Sequence, residues 1–144
     1  MIKKTTFQRD QARNYQGTRD YFGDDARWRQ QVRDTIQSAF ELFGFEPLET
    51  PAFETISTLK GKGGEEADAK FFHLSLPFPK DGGLRFDFTV PLARFTAMNW
   101  NKFPLPYRRY AIGPVWRNDA TQAGRYKEFW QCDFDTVGST SPVI

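Results

Sequence analysis

The chain has 144 residues, 39% of them hydrophobic and 26% charged, and a net charge of +2. This composition predicts one folded domain with a core and excludes an intrinsically disordered chain. No apolar run is long enough for a membrane helix and residues 1–6 lack a signal-peptide core, so we expect a soluble, cytoplasmic protein. The single cysteine, Cys132, excludes an internal disulfide and a cysteine-based zinc site, and we expect it to be a small core residue.

The first predicted element is a helix that follows a polar N-terminal arm at residues 1–16. Asp24 is placed to be its N-cap, and Gly44 is placed to end it, because glycine adopts the backbone conformation that closes helices. Between them, apolar side chains recur at steps of three and four residues: Trp28, Val32, Ile36, Ala39, Phe40 and Phe43. This pattern predicts an amphipathic helix whose apolar stripe is buried against a sheet.

The middle of the chain contains short strand-like and loop-like segments. A glycine-rich stretch at 60–66 could suggest a phosphate-binding loop, but it lacks the GxxxxGK[ST] pattern and no apolar strand leads into it, which favours an ordinary loop. His73 lies in the apolar run 71–74 without a partner histidine or cysteine, and we interpret it as structural. Residues 77–83 end in Asp-Gly-Gly and predict a turn into a strand at 84–87.

A second helix is predicted to begin near Thr89 and to run to about Trp100. Pro91 fits there, because the first helical turn tolerates proline, and the Thr89 hydroxyl could cap the helix. Capping is compatible with a role in a ligand site, since the end of a strand and the start of the next helix can border the same site.

Residues 106–117 and 125–136 predict two antiparallel strands joined by a turn-forming stretch at 118–124. Side chains alternate between the two faces of a strand. One face carries Arg109, Ala111, Gly113, Val115 and Arg117 of the first strand with Arg125, Lys127, Phe129, Gln131, Asp133 and Asp135 of the second. The other carries Tyr110, Ile112 and Trp116 with Tyr126, Glu128, Trp130, Cys132, Phe134 and Thr136, and is mostly core-like.

If the two polar sides coincide, they form a trough with cations at its loop end and carboxylates at its far end. At about 3.3 Å per residue, the trough could hold a nucleotide and a small polar molecule end to end. The alternative is the solvated outer face of a sheet, which is a common reason for charged residues to alternate along a strand. Lys102, Arg108 and Arg109, near the hairpin, fit either a nucleic-acid contact or a solvated surface.

The hairpin resembles motif 2 of the class II aminoacyl-tRNA synthetases. The resemblance rests on Arg117-Asn118-Asp119 and on GRYKEFWQCDFD at 124–135, which is similar specifically to histidyl-tRNA synthetases. Three more segments agree in chain order: GTRD at 17–20 with the N-terminal signature, GFEPLETP at 44–51 with motif 1, and LRFDFTVP at 84–91 with the amino-acid-binding segment.

The resemblance implies an α+β fold, in which residues 17–144 form part of a class II catalytic domain, an antiparallel sheet flanked by helices. Motif 1, at about 24–51, would form a homodimer interface, and motif 2 would span about 106–137. The implied activity is that of a histidine–tRNA ligase, which uses ATP with Mg²⁺ to form histidyl-adenylate and passes the histidyl group to tRNA(His).

The resemblance also implies the site residues. For ATP they are Arg117, Asp119, Arg125, Tyr126 and Phe129, with Arg117 as the catalytic residue on the α-phosphate, Arg125 on the triphosphate and Phe129 stacked on adenine. For histidine they are Asp87, Phe88, Thr89, Arg117, Gln131 and Asp135. Among these, Asp87, Thr89 and Gln131 would hold the α-ammonium group, and Asp135 would accept a hydrogen bond from the imidazole. No metal-ligating residue is implied.

Nothing in the sequence resembles motif 3, the histidine-specific segment with its catalytic arginine, or an anticodon-binding domain. We therefore expect that the 144-residue chain alone does not charge tRNA. One alternative is a noncatalytic, synthetase-like regulatory paralog of histidine biosynthesis, although regulation alone does not require Arg117 and Arg125. A second alternative is a generic nucleotide-binding or dimerisation module.

Overall fold

Two three-stranded sheets and three helices form the part of the chain described by the computed structural model, residues 12–61, 69–74, 81–120 and 122–141. In chain order the elements are α1 (Gly23–Leu42), β1 (Glu46–Pro47), β2 (Phe53–Thr55), α2 (Ile56–Lys60), β3 (His73–Leu74), β4 (Gly82–Leu84), α3 (Thr89–Asn99), β5 (Tyr107–Trp116) and β6 (Glu128–Val137). The predicted α+β class is confirmed. Residues 1–11 of the predicted arm, 62–66 of the glycine-rich loop and 77–80 of the predicted turn lie outside the described residues.

The predicted hairpin is confirmed as the pair β5 and β6. They pair antiparallel from Tyr107 opposite Val137 to Trp116 opposite Glu128, with Gly113 opposite Gln131. β1 lies on the other side of β5 and runs parallel to it. Because directly opposite residues of an antiparallel pair point to the same side, this register places the two polar sides on one face.

The two faces of the hairpin are covered very differently. The inner face consists of Arg109, Ala111, Gly113 and Val115 of β5 and Phe129, Gln131, Asp133 and Asp135 of β6. The segment from β4 into α3 packs on it, and Phe88 forms a buried cluster there with Ala111 and Val115. On the outer face, Trp130 and Phe134 are 42% and 56% exposed, and Cys132 is exposed as well. The prediction of a core-like outer face is therefore right for Tyr110, which is 4% exposed, but wrong for Trp130 and Phe134, and the prediction of a buried Cys132 is wrong.

Helix α1 ends as predicted but begins differently. Gly44 follows its last turn with φ of +76°. The N-cap is Phe22, without a side-chain hydrogen bond, so the prediction that Asp24 caps the helix is wrong. Asp24 instead lies in the first turn, where its negative charge interacts favourably with the unpaired backbone N–H groups of the helix. It also accepts a hydrogen bond from Arg27 at 2.6 Å.

The predicted apolar stripe of α1 is only partly packed. The Phe40 ring lies 5.4 Å from that of Tyr110 and 5.1 Å from that of Phe134, centroid to centroid. The Tyr110 hydroxyl also donates to Glu41 at 2.8 Å. However, no residue of α1 is fully buried, and Trp28 is 66% exposed. The helix therefore contacts the outer face mainly near its C-terminal end.

The second sheet has the strand order β2-β4-β3 and is antiparallel throughout. Gly82 and Gly83, predicted to belong to a turn, are residues of β4 instead. The reason is packing: a Cβ on Gly83 would lie 2.7 Å from Leu59 Cδ1 and 3.1 Å from the Phe72 carbonyl oxygen. Glycine therefore lets β4 approach its neighbours closely within the strand.

Arg85 joins the two sheets. Its guanidinium is buried, and it donates to the carbonyl oxygens of Thr50 at 2.7 Å and Pro114 at 3.1 Å, with a longer bond to Pro51. α3 is joined to β2 by a bidentate ion pair between Arg94 and the buried Glu54, at 2.7 and 2.8 Å. These contacts fix the segment between β4 and α3 over the inner face.

Candidate functional site

A cavity of about 280 Å³ lies at the loop end of the inner face. Its lining residues are Arg117, Asp119, Gly124, Arg125, Tyr126 and Phe129. The structure thus brings together all five residues predicted for the nucleotide, although they come from the end of β5, the connecting loop and β6. A concave site with aromatic and cationic walls is suited to a charged ligand that carries a ring.

Arg117 is held in place by one nitrogen, which leaves two for a ligand. Its Nε donates to the carbonyl oxygen of Phe86 at 3.0 Å, and its guanidinium lies 5.1 Å from the centre of the Phe129 ring. Within the described residues, neither terminal nitrogen of Arg117 has a hydrogen-bond partner. A planar guanidinium presented in this way can donate two parallel hydrogen bonds to an oxyanion.

Asp87 lies beside Arg117 where the segment from β4 enters α3. Burial raises the pKa of the Asp87 carboxyl, while a hydrogen bond from the Val90 amide, at 3.2 Å, and the charge of Arg117 oppose this shift. The prediction that the Thr89 hydroxyl caps α3 is wrong, because Thr89 is the exposed first residue of the helix and Asp87 accepts the bond at its N-terminus.

Phe88, also predicted to contact histidine, is 4% exposed and belongs to the core. Its ring packs on the inner face, and the guanidinium of Arg85 lies 4.6 Å from the ring centre. The Phe88 side chain is therefore part of the packing that covers the inner face.

Gln131 stands at the middle of the inner face, opposite Gly113. Its Oε1 atom is buried and has no hydrogen-bond partner within the described residues. Buried polar atoms in folded proteins nearly always have partners, so an unpaired acceptor facing a trough indicates a place for a donor from a ligand. The predicted role of Gln131, binding an ammonium group, agrees with this geometry.

The far end of the inner face contains a buried arginine whose role was not predicted. Arg109 is completely buried, and its Nη2 donates to Asp133 at 2.9 Å and to Asp135. For Arg109, both predicted alternatives, a nucleic-acid contact and a solvated surface, are therefore wrong. Asp135, predicted to bind imidazole, is 42% exposed and already paired on one oxygen. An ion pair between Arg109 and Asp135 could have been predicted from the hairpin in the sequence, because the hairpin places the two residues opposite each other.

Two classes of feature are not found in the described residues. No group of three or more His, Cys, Asp or Glu side chains is arranged to hold a metal ion there. None of the helices in the same ranges is long and apolar enough to cross a membrane.

Comparison with known proteins identifies the family. The family model of histidyl-tRNA synthetase matches residues 17–142. The chain belongs to the histidyl-tRNA synthetase family. The histidine–tRNA ligase of Rhodopirellula baltica is 44% identical over 133 residues, which are 92% of this chain and 30% of that protein.

Solved structures support the same family. The histidyl-tRNA synthetase of Nostoc sp. PCC 7120 superposes with a TM-score of 0.77 at 32% identity, covering 90% of this chain and 29% of that one. A Bacillus halodurans C structure described as an ATP phosphoribosyltransferase regulatory subunit/histidyl-tRNA synthetase superposes with a TM-score of 0.74 at 27% identity, covering 87% and 32%. The chain therefore spans about a third of the length of these relatives.

Proposed function

We propose that the inner face forms one wall of the histidine and ATP site of a histidine–tRNA ligase. The observation that carries the proposal is the cavity of about 280 Å³ in which Arg117, Arg125 and Phe129 meet, on the face that also carries the unpaired oxygen of Gln131. Cations, an aromatic ring and an unpaired acceptor are the kinds of group that ATP and an amino acid would need.

ATP with Mg²⁺ occupies the loop end in this proposal. Phe129 stacks on adenine, Asp119 and the backbone near Tyr126 border its edge, and Arg125 contacts the triphosphate. The free terminal nitrogens of Arg117 bind oxygens of the α-phosphate. Arg117 is thereby the catalytic residue, because it compensates the charge that increases on these oxygens during the reaction.

Histidine lies beside the α-phosphate. Asp87 and Gln131 accept from its α-ammonium group, Thr89 borders it at the start of α3, and Asp135 accepts from the imidazole. A carboxylate oxygen of histidine forms a bond to the α-phosphorus while the bond to the bridging oxygen breaks and pyrophosphate leaves. The nucleophile is already ionised at neutral pH, so positioning and charge compensation suffice without a general base.

In the second step, a terminal ribose hydroxyl of tRNA(His) attacks the histidyl carbonyl and AMP leaves. We place residues 17–144 in a class II catalytic domain preceded by an arm at 1–16, with homodimerisation through about 24–51 and a cytoplasmic location. Since the chain spans about 30% of the Rhodopirellula baltica ligase, we expect the 144 residues alone to bind ligands without charging tRNA.

Calorimetry on the folded 144-residue chain tests the binding site. Histidine and a non-hydrolysable histidyl-adenylate analogue should both give heat, with tighter binding for the analogue because it spans both ends of the trough. A folded sample that gives no heat with either ligand would favour a generic dimerisation module and contradict the proposal.

A second candidate function is that of a noncatalytic regulatory paralog, suggested by the description of the Bacillus halodurans C relative. The presence of Arg117 and Arg125 in one cavity speaks against it. Histidine-dependent exchange between ATP and pyrophosphate separates the two candidates, measured on a chimera in which residues 17–141 replace the matching segment of the Rhodopirellula baltica ligase. Exchange supports the ligase, whereas histidine binding without exchange supports the regulatory paralog.

A further inference from the structure

Arg109 is the most deeply buried charged group of the inner face. It is 0% exposed, whereas the side chains of its partners Asp133 and Asp135 are 22% and 42% exposed. Removing a guanidinium from water is unfavourable unless it is paired with anions, and here one charged nitrogen serves both carboxylates. The arginine therefore lies behind the far end of the trough, and the carboxylates lie between it and solvent.

The contacts leave part of each carboxylate free. Arg109 reaches Asp133 and Asp135 through their Oδ2 atoms. Within the described residues, the Oδ1 atom of neither aspartate has a hydrogen-bond donor. Both side chains are partly exposed on the side of the trough, so these oxygens remain acceptors for a ligand.

The charges at this end do not cancel. Two carboxylates at alternate positions of one strand face repel each other, and Arg109 offsets one of the two negative charges. Without it, both carboxylates would turn toward water and away from each other. With it, both are held in one orientation and one net negative charge remains, which suits a ligand group that donates N–H bonds.

We propose that Arg109 is the positioning residue for side-chain recognition at this site: it holds Asp135 and Asp133 as a fixed pair of carboxylates that accept the imidazole N–H of histidine. This inference rests on the proposed function and adds Asp133 to the recognition of the ring. Arg109 acts through the two carboxylates and does not touch the ligand itself.

The test compares three variants of the 144-residue chain. Arg109→Met removes the charge at similar side-chain length, and Arg109→Lys keeps the charge but not the planar fork. Arg108→Met is the matched control, because Arg108 is the neighbouring arginine on the outer face, where its guanidinium lies 4.5 Å from the Phe45 ring centre. Calorimetry with histidine and with Mg²⁺-ATP measures each end of the trough, and the ¹⁵N signals of ring-labelled histidine report the imidazole hydrogen bonds.

Arg109→Met should weaken histidine binding by about tenfold or more, because hydrogen bonds to a charged acceptor are lost, and should leave ATP affinity unchanged. The ring ¹⁵N shift seen on binding to the parent should also disappear. Arg109→Lys should recover part of the affinity, and Arg108→Met should behave as the parent. Equal losses of affinity for histidine and for ATP would show that Arg109 has only a structural role and would overturn the inference.

Asp133→Asn keeps the test decisive if Arg109→Met does not fold. Asp133 is 22% exposed and its substitution should reduce histidine affinity and the ring ¹⁵N shift without affecting ATP, and an unchanged ring signal would overturn the inference. A folded parent that binds ATP but not histidine would overturn the proposed histidine site together with this inference. Histidine binding that survives in Arg109→Met with its ring signal intact would overturn this inference alone.

Discussion

The two faces of the β5–β6 hairpin have opposite relations between polarity and burial. The inner face carries arginine, glutamine and two aspartates, yet Arg109 and Val115 on it are completely buried. The outer face carries Trp130, Cys132 and Phe134, yet these residues are exposed in the described structure. Polarity alone therefore does not tell which side of this hairpin is packed.

The difference teaches how a polar face can be buried. Several inner polar groups have specific partners, such as the Phe86 carbonyl for Arg117 or the aspartates for Nη2 of Arg109, because an unpaired buried group is costly. Within the described residues the Gln131 oxygen has no partner, and we propose that a ligand supplies one. Changes on the inner face should therefore affect function and packing strongly, and matched changes on the outer face should affect them weakly.

The largest expected effect is that of Arg117→Ala in the chimera with the Rhodopirellula baltica ligase. Histidine-dependent pyrophosphate exchange should fall by about 10²- to 10³-fold, because a preorganised contact to the reacting phosphate is lost. The control is Arg108→Ala on the outer face, which should exchange at the parent rate. An Arg117→Ala chimera that stays within a few-fold of the parent would show that this arginine is not catalytic.

Asp87→Asn should separate binding from stability. Histidine affinity should drop by about tenfold or more, because the ammonium group loses a charged acceptor. Burial raises the pKa of Asp87, so its contribution to stability is present at low pH and is lost as the pH rises through the raised value.

The asparagine, neutral at every pH, avoids this loss and can still accept from the Val90 amide. Urea unfolding at pH 7 should find Asp87→Asn at least as stable as the parent, with the advantage gone near about pH 4. The exposed Asp25→Asn is the control for histidine binding. Lower stability of Asp87→Asn at pH 7 would mean that Arg117 outweighs burial at this carboxyl.

Gly113→Ala should test how tightly the inner face is covered. The new Cβ would lie 3.2 Å from Phe88 Cζ and 3.3 Å from Arg85 Nη2, and both side chains are buried. Overpacking of this kind lowers the free energy of unfolding by about 1–3 kcal/mol. Gly82→Ala is the control, since its Cβ would meet Leu74 at an ordinary 3.5 Å. Equal denaturation midpoints for the two variants would show that the Phe88 and Arg85 side chains shift to accommodate the new Cβ at little cost in stability.

The smallest expected effect is on the outer side, where Tyr110→Phe removes the hydrogen bond to Glu41. The loss should be about 1 kcal/mol in the free energy of unfolding, measured by urea denaturation. Burial and this bond raise the pKa of Tyr110 to about 12. Since the ordinary value is about 10, the parent should lose this stability between about pH 10 and 12, and the variant should not.

The sequence predicted the hairpin well because period-two alternation and a turn-forming loop are local signals. It also predicted the residues that meet in the loop-end cavity, through their resemblance to a known motif. The sequence-based predictions were wrong where tertiary contacts determine the local structure. Asp87 replaces Thr89 as acceptor at the start of α3, and Gly83 lies in a strand because Leu59 and Phe72 crowd it.

The wrong prediction of burial for Trp130 and Phe134 on the outer face has the same cause, namely tertiary contacts. Trp130 and Phe134 have the apolar character of core residues, but which face is covered depends on where α3 and its preceding segment pack. That placement is fixed by long-range bonds from Arg85, whose partners lie 29 to 35 residues away in the sequence. Local patterns carry no information on such contacts.

Arg85 also has a consequence for the timescale of motion. Asp87 and Thr89 follow it by two and four residues, and its guanidinium bonds reach both β5 and the loop between β1 and β2. To move these two residues, which we propose bind histidine, the chain would have to release several hydrogen bonds together, which makes such openings rare. The Arg85 amide, which donates to the Ala52 carbonyl at 2.9 Å, should thus exchange with solvent almost as slowly as the amides of β5, and the proposed histidine-binding side of the inner face would stay rigid.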